Sequence, residues 1–419
     1  MTFALIDGNS FYCSCERLFR PDLARRPVIV LSNNDGCAVA RTAEAKALGI
    51  AMGDPYFKIR ALCERERVAV FSSNYALYGD ISRRMNDIYR DAAPATEVYS
   101  IDETFLDLSG FDPARVFAMA VDLRARVREW VGIPTCVGIA PTKALAKLAN
   151  KIAKSDPTLN GICDLSDPVE RDARLAGFPV GDVWGVGGAS ARKLAAVGVR
   201  TARELRDMDL RHARQLMTVV GERIVVELRG VSCLPLEAAP PTRRGLAVTR
   251  SFGERVTRLD AMTEAVATYA ARAGEKLRHH RLATGAMTVF MHTSPFAAGP
   301  RYSAARALEF SPPTNDSREL VHASTRAAAA MWRDGYAYAK AGVMCDDLVA
   351  PEDVPPDLFG AAKSETNGRL MSAVDAANKR FGRDTVLIAA SGTKRRWAQK
   401  FERRSPRYTT RIDELPICR

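Results

Sequence analysis

Histidine is scarce in this chain, with 5 in 419 residues, and none shares a zinc-like spacing with any of the nine cysteines. Cys13 and Cys15 lie too close for an ordinary disulfide or a C-x-x-C knuckle. Scattered thiols of this kind read as buried or incidental groups in a reducing cytoplasm, which removes the disulfide-stapled secreted class. No apolar run is long enough to cross a bilayer, and the N-terminus enters a strand-like segment directly, so neither a membrane span nor a signal peptide is expected. Internal repeats are absent as well. Negative charge is in deficit: 49 Asp and Glu face 61 Lys and Arg, a net +12. Such an excess favours a polyanionic partner, and nucleic acid more than a membrane surface, because no basic amphipathic anchor helix stands out. The length allows about two to four domains with cores of their own.

Against this basic background three acids are conspicuous. Asp7 closes the apolar run Phe3-Ala4-Leu5-Ile6, which reads as a buried strand, and the pair Asp102-Glu103 sits where two short β-prone runs meet, Val98–Ile101 and Thr104–Leu108. Strand ends are rigid, so carboxylates placed there can be held close together across a large sequence separation. Like charges that close repel unless a cation lies between them. Magnesium suits such a site, taking one or two carboxylates and filling its shell with substrate phosphates. Acidic turns are also common without any metal, so the pattern alone leaves both readings open.

The first part of the chain alternates strands and helices. Pro27–Leu31 reads as a strand, Thr42 to Leu48 as a short helix stopped by Gly49, Asp112-Pro113 as the cap of a helix reaching Trp130, and Thr135–Ile139 as a buried strand leading into a helix over Thr142–Lys154. On that last helix Lys143, Lys147, Lys151 and Lys154 fall on one stripe opposite Leu145, Leu148 and Ile152. The stripe is either a solvated basic face or a set of ammonium groups for a polyphosphate. Residues 166–235 are helical in texture. Gly185-Val186-Gly187 ahead of a helix near Ser190–Val197 makes a helix–hairpin–helix pattern, whose glycines let backbone N–H groups approach phosphate without reading bases. Beyond Thr242-Arg243-Arg244 the expected order is strand 246–252, helix 260–279, strands 286–293 and 302–310, helix 316–333, and strand 337–344, a β-α-β-β-α-β module. The basic cluster Lys276, Arg278, His279, His280 and Arg281 suits either nucleic acid or solvent.

Asp7-Gly8-Asn9-Ser10-Phe11-Tyr12, Tyr99-Ser100-Ile101-Asp102-Glu103, the lysine helix and the glycine hairpin resemble, in order, the motifs of Y-family translesion DNA polymerases. The UmuC-like branch is the nearest in texture, on Val30–Cys37, Ala43–Gly49, Phe71–Tyr75 and Ser405–Arg411, and the likeness covers nearly the whole chain. It implies an α+β, multidomain right-hand polymerase: palm (1–18 and 74–165), small fingers (19–73), a helical thumb (166–235), a ferredoxin-like little finger (243–345), a linker (346–365) and a partner-binding tail (366–419). The implied activity is template-directed, low-fidelity DNA synthesis across lesions in the DNA-damage (SOS) response, in the cytoplasm. The resemblance assigns two Mg²⁺ ions to Asp7, Asp102, Glu103 and the Gly8 carbonyl, and nucleotide binding to Phe11, Tyr12, Lys46 and Lys154, with Tyr12 as the steric gate against a ribose 2′-hydroxyl. DNA backbone would meet Gly185 and Gly187. Two positions depart from many relatives, which carry Tyr and Arg where this chain has Ala43 and Lys46. The partners implied are primer–template DNA, deoxynucleotides, a UmuD-like subunit, a RecA-like filament and the sliding clamp. For the clamp the candidate peptide is Pro355-Pro356-Asp357-Leu358-Phe359, a weak version in which Leu358 and Phe359 are the anchors. A catalytically silent DNA-binding or scaffold relative should have lost one of the three acids. A cyclase-like palm enzyme would need neither hairpin nor basic module.

Overall fold

The computed structural model describes residues 1–237, 242–354, 361–393 and 395–415, with the side chains of 361–366 excepted. It forms two compact units: Met1–Ser32 and Gly36–Pro241 together with Arg403–Arg419, and Thr242–Glu402 together with Asn33–Asp35. No helix among the described residues is long and apolar enough to cross a membrane.

The first unit is built on β1 (Phe3–Gly8), every residue of which is buried. The chain continues through α1 (Phe11–Leu18), β2 (Val28–Leu31), β3 (Ala38–Arg41), α2 (Ala43–Ala47), α3 (Tyr56–Arg65), β4 (Ala69–Ser72), α4 (Tyr75–Ala92), β5 (Ala95–Val98), β6 (Glu103–Asp107), α5 (Pro113–Trp130), β7 (Thr135–Ala140), α6 (Lys143–Ser155) and β8 (Ile162–Asp164). One sheet has the order β5-β6-β1-β7-β8, and a smaller one the order β3-β2-β4. Because β1 is central and covered on both faces, its sequence is a continuous apolar run rather than an alternating one. Alternation survives in where the side chains go: Phe3 and Leu5 pack with α6, whereas Ala4 and Ile6 pack with α1, α4 and α5. Caps set the helix starts where they were expected. Thr42 accepts from Ala45 N, Asp112 from Ala114 N, and Thr142 from Leu145 N, and Gly49 takes the left-handed φ of 82° past the end of α2.

Four helices follow in the same unit: α7 (Pro168–Gly177), α8 (Gly188–Ala196), α9 (Ala202–Asp207) and α10 (Leu210–Leu228). Thr201 and Glu204 close a reciprocal capping box on α9. These helices share a core with α6, through Leu148, Leu175, Leu194, Leu205 and Val225.

The second unit holds β9 (Leu246–Val256), α11 (Leu259–His279), β10 (Ala283–Thr293), β11 (Ser303–Thr314), α12 (Ser317–Met331), β12 (Tyr338–Val349) and α13 (Ala361–Phe381). The β-α-β-β-α-β order is the expected one. The sheet runs β11-β10-β12-β9, all antiparallel, so each helix joins two parallel strands with a third inserted between them. Three boundaries differ from the sequence reading. β12 runs to Val349, through the expected linker start at 346, with Asp346 and Asp347 exposed along it. β11 reaches Thr314 through Pro312 and Pro313, tolerated because it is the edge strand. The expected tail is divided, since its residues to Glu402 belong to the second unit and those from Arg403 to the first.

Candidate active site

Asp7 is the penultimate residue of β1, and in the antiparallel ladder with β6 it lies directly opposite Glu103. Gly8 N–H donates to the Asp102 carbonyl at 2.9 Å, tying the acidic turn to the same strand end. Since 3, 5 and 7 share a face, Asp7 points toward α6, as does Glu103, which shares a face with Phe105. Asp102 is held at the turn by Ser100, whose hydroxyl donates to it at 2.7 Å. The scaffold therefore brings Asp102 and Glu103 within electrostatic range of Asp7.

Each of the two strand carboxylates rests on a lysine of α6. Lys154 pairs with Asp7, and Lys147 with Glu103 at 2.9 and 3.0 Å. Burial pushes the Asp7 carboxyl up to about 6 against the pull of Lys154, with the charges of Asp102 and Glu103 adding to the rise. In this arrangement no cluster of three or more carboxylate, imidazole or thiol groups among the described residues forms a ready-made cation cage. The donor set nonetheless fits a hard divalent ion: three carboxylates and a carbonyl at one strand end, mutually repelling, two of them already carrying ammonium groups as stand-in cations.

A pocket of about 310 Å³ opens beside them, lined by Asp7, Gly8, Phe11, Tyr12, Lys46, Asp102 and Lys154, all singled out from sequence. An adjoining one of about 270 Å³ brings Asp7 and Glu103 together with Lys147, Lys151 and Lys154. Phe11 is buried with its ring beneath Gly8, where an added Cβ would meet it at 3.1 Å, so it serves as floor. Tyr12 is half-buried and lies flat against Tyr78, with ring centroids 4.4 Å apart. The lysine stripe is divided: Lys143 is buried on Glu97, Lys147 is half-buried on Glu103, and Lys151 and Lys154 are exposed, with Lys151 paired to Asp182 at 2.6 Å. Of the four, Lys154 lines the larger pocket.

Sequence reasoning missed Arg41, which ends β3 and lines the same pocket as Lys46. Its Nη1 donates to the Ile50 carbonyl at 2.8 Å, and its buried Nε has no partner among the described residues. The signal available was a cation immediately before the Thr42 cap. It also missed Trp184, whose indole donates to the Tyr99 hydroxyl at 3.3 Å while Lys147 lies 4.0 Å over the Tyr99 ring. Gly185 has φ 90° and Gly187 caps α8; neither lines these pockets. In the basic cluster Arg278 is committed to Asp375, at 2.7 and 2.8 Å, rather than facing outward. Leu358 and Phe359 lie outside the described residues.

Comparison with known proteins agrees with the geometry. Residues 6–151 match the impB/mucB/samB family, residues 243–358 its C-terminal domain, and residues 368–417 a domain of unknown function, DUF4113. The chain is 45% identical to Protein ImpB of Salmonella typhimurium over 100% of its length and 99% of the relative. It is equally 45% identical to Protein UmuC of Salmonella typhimurium strain LT2, over 99% of both. A DNA polymerase IV of Desulfatibacillum aliphaticivorans is 28% identical over 92% of the chain and 95% of the relative. Among solved structures, a Y-family DNA polymerase chimera of Dbh and Dpo4 shares the fold with a TM-score of 0.67 at 19% identity, covering 83% of this chain and 99% of that one.

Proposed function

The chain belongs to the impB/mucB/samB family of Y-family polymerases as a UmuC-like member, and on that premise we propose that it is a DNA-directed DNA polymerase specialised for copying damaged templates. The observation that carries this reading is the Asp7–Glu103 register beside a pocket bearing Tyr12, Arg41, Lys46 and Lys154. Primer–template DNA and a deoxynucleoside triphosphate are the substrates. The primer 3′-oxygen forms a bond to the α-phosphorus as the bond to pyrophosphate breaks.

Asp7, Asp102, Glu103 and the Gly8 carbonyl would hold two divalent ions, magnesium by the hardness of the oxygen donors. Such ions supply Lewis-acid activation of the 3′-hydroxyl and charge neutralisation on the triphosphate. The remaining work belongs to the chain. Lys154, freed from Asp7, would meet the phosphates in this pocket, whose lining also carries the positive charges of Arg41 and Lys46. Tyr12 closes the sugar side and excludes a 2′-hydroxyl by its bulk. Gly187, at the start of α8, leaves backbone N–H groups open to the DNA backbone. A weak clamp contact through Leu358 and Phe359, and binding of a UmuD-like subunit or a RecA-like filament by the tail, follow from the family likeness. Titrating clamp against wild type and a Leu358→Ala, Phe359→Ala double mutant tests the first of these.

Asp102→Asn decides the central reading. The amide keeps the shape and removes one negative ligand, so primer extension with Mg²⁺ on intact and abasic templates should fall below a few per cent of wild type. Primer–template affinity should survive, being spread over many backbone contacts. Extension well above that level would mean that Asp102 is not a ligand.

A further inference from the structure

Residues 403–408, part of the domain of unknown function, belong to the first unit and dock against Ser72, Asn74, Glu16 and Phe19. Arg403 N–H donates to Ser72 Oγ at 2.9 Å, and Ser72 N–H donates to the Arg403 carbonyl at 3.1 Å. Asn74 Nδ2 donates to the Ser405 carbonyl, the Ser405 hydroxyl and the Pro406 carbonyl, at 3.0, 2.9 and 3.1 Å. Tyr408 stacks on Phe19 with centroids 4.5 Å apart. Asn74 also caps α4, the helix that carries Tyr78, so the docked segment and the start of that helix are one hydrogen-bonded unit.

The Ser405 hydroxyl, having accepted from Asn74, donates to Glu16 Oε1 at 3.1 Å. The Tyr78 hydroxyl donates to that same oxygen at 2.6 Å. Glu16 and Tyr78 are both 0% exposed and Ser405 is 7% exposed, so this is a buried relay shielded from water. At the other end of the Tyr78 side chain its ring lies under Tyr12, 16° from parallel and 4.4 Å away. A flat stack of this kind transmits a tilt of one ring to the other, and fixing the Tyr78 hydroxyl removes the freedom to tilt. Burial pushes the Glu16 carboxyl up to about 7.

We propose that residues 403–408 are a positioning element for sugar selection: through Ser405 and Glu16 they fix Tyr78, which is the backing plate that holds Tyr12 against the incoming sugar. The inference rests on the reading of Tyr12 as the gate. None of Ser405, Glu16 and Tyr78 lines the nucleotide pocket, and Tyr78 meets Tyr12 through the stack. With the anchor loosened, Tyr12 leans on a ring that can swing, and a 2′-hydroxyl is tolerated part of the time. Losing one hydrogen bond of the relay should raise that fraction roughly fivefold.

The test measures matched ribo- and deoxyribonucleotide incorporation by the full chain as wild type, Tyr12→Ala, Tyr78→Phe, Ser405→Ala and Ser405→Thr. Tyr78→Phe keeps the ring and drops only the hydroxyl. Both it and Ser405→Ala should raise the ribo-to-deoxyribo ratio about fivefold, with deoxyribonucleotide rates within about twofold of wild type. Ser405→Thr, which keeps the hydroxyl, should restore the wild-type ratio. An unchanged ratio in Tyr12→Ala would remove the gate reading itself. A relaxed Tyr12→Ala beside wild-type ratios in Tyr78→Phe and Ser405→Ala would overturn the positioning role alone. Equal loss on both sugars would do the same, reducing the relay to support of the fold. If Ser405→Ala does not fold, Tyr78→Phe decides, since its defect is confined to one buried oxygen.

Discussion

Replacing Gly138 with alanine should both destabilise the first unit and cripple its chemistry. Gly138 sits in β7, opposite Leu5 of β1, under the middle of α6. A Cβ there would lie 2.2 Å from the Ala146 carbonyl oxygen, 2.3 Å from Asn150 N and 2.9 Å from the Ala149 carbonyl carbon. These are helix backbone atoms, which cannot rotate away, so α6 must retreat by roughly 1 Å to reach ordinary packing distance. That retreat stretches the two hydrogen bonds by which Asn150 Nδ2 ties α6 to the sheet, to the Leu5 carbonyl at 3.2 Å and to the Cys136 carbonyl at 2.8 Å. Overpacking costs about 1–3 kcal/mol, and two weakened buried hydrogen bonds add about 1 kcal/mol each, so a total of about 3–5 kcal/mol is expected. The melting midpoint of a unit this size should fall by roughly 6–20 °C. Lys154 and Lys147 ride on the displaced helix, and a displacement of about 1 Å at reacting groups can cost about a hundredfold in rate. Calorimetry and single-nucleotide incorporation read the two effects. A midpoint within a degree of wild type would refute the packing argument, and a stable loss of midpoint with full incorporation would refute the claim that α6 positions the site.

Three further outcomes are expected. Lys154→Ala removes the cation on Asp7 and one from the nucleotide pocket, so the KM for deoxynucleotides should rise about tenfold or more in steady-state extension, a change that a merely structural lysine would not give. The Glu16 carboxyl titrates near 7 in the folded chain against 4.5 unperturbed, because burial opposes its charge. The sign follows directly: its contribution is complete below about 4.5, is lost as pH rises toward 7, and levels off above, a total of roughly 3 kcal/mol. Glu16→Gln carries no such titration, so its melting midpoint relative to wild type should climb between about pH 5 and 7 and then stay flat; a constant difference would show that Glu16 is ordinary. In the hairpin, Gly187→Val should weaken DNA binding similarly on all sequences without lowering the melting midpoint, since no atom of the described residues lies within 4 Å of its Cβ position. Gly185→Val instead combines a φ of 90° with a 2.7 Å approach to Ile224, and its loss of binding would reflect misfolding.

What could be foreseen from the sequence was what short-range chemistry encodes. Asp7 and Asp102-Glu103 are legible because an acid at the end of an apolar run has only a strand end to sit on, and Thr42, Asp112 and Thr142 are legible because a cap acts within three residues. The failures share a cause in distance along the chain. Lys143 looks solvated on a helical wheel, yet Glu97 on β5 meets it and buries it. Arg41 gives no sign of lining a pocket until β3 and β1 are folded beside each other. Pro312 and Asp346 read as strand breakers, and only the edge position of β11 and the exposed side of β12 make them harmless. Ser405 is the extreme case, meeting Asn74 across 331 positions and Glu16 across 389. No periodicity or cap can announce a pairing of that range. It is recognisable in retrospect by its chemistry, because Glu16, buried in α1 with Phe11, Cys13 and Cys15, is an acid that demands donors, and among the described residues it finds Tyr78 and Ser405. A lone acid on the inward face of a helix therefore carries information of its own: its partners must arrive from elsewhere in the fold, and here one of them comes from the end of the chain to reach the ring behind Tyr12.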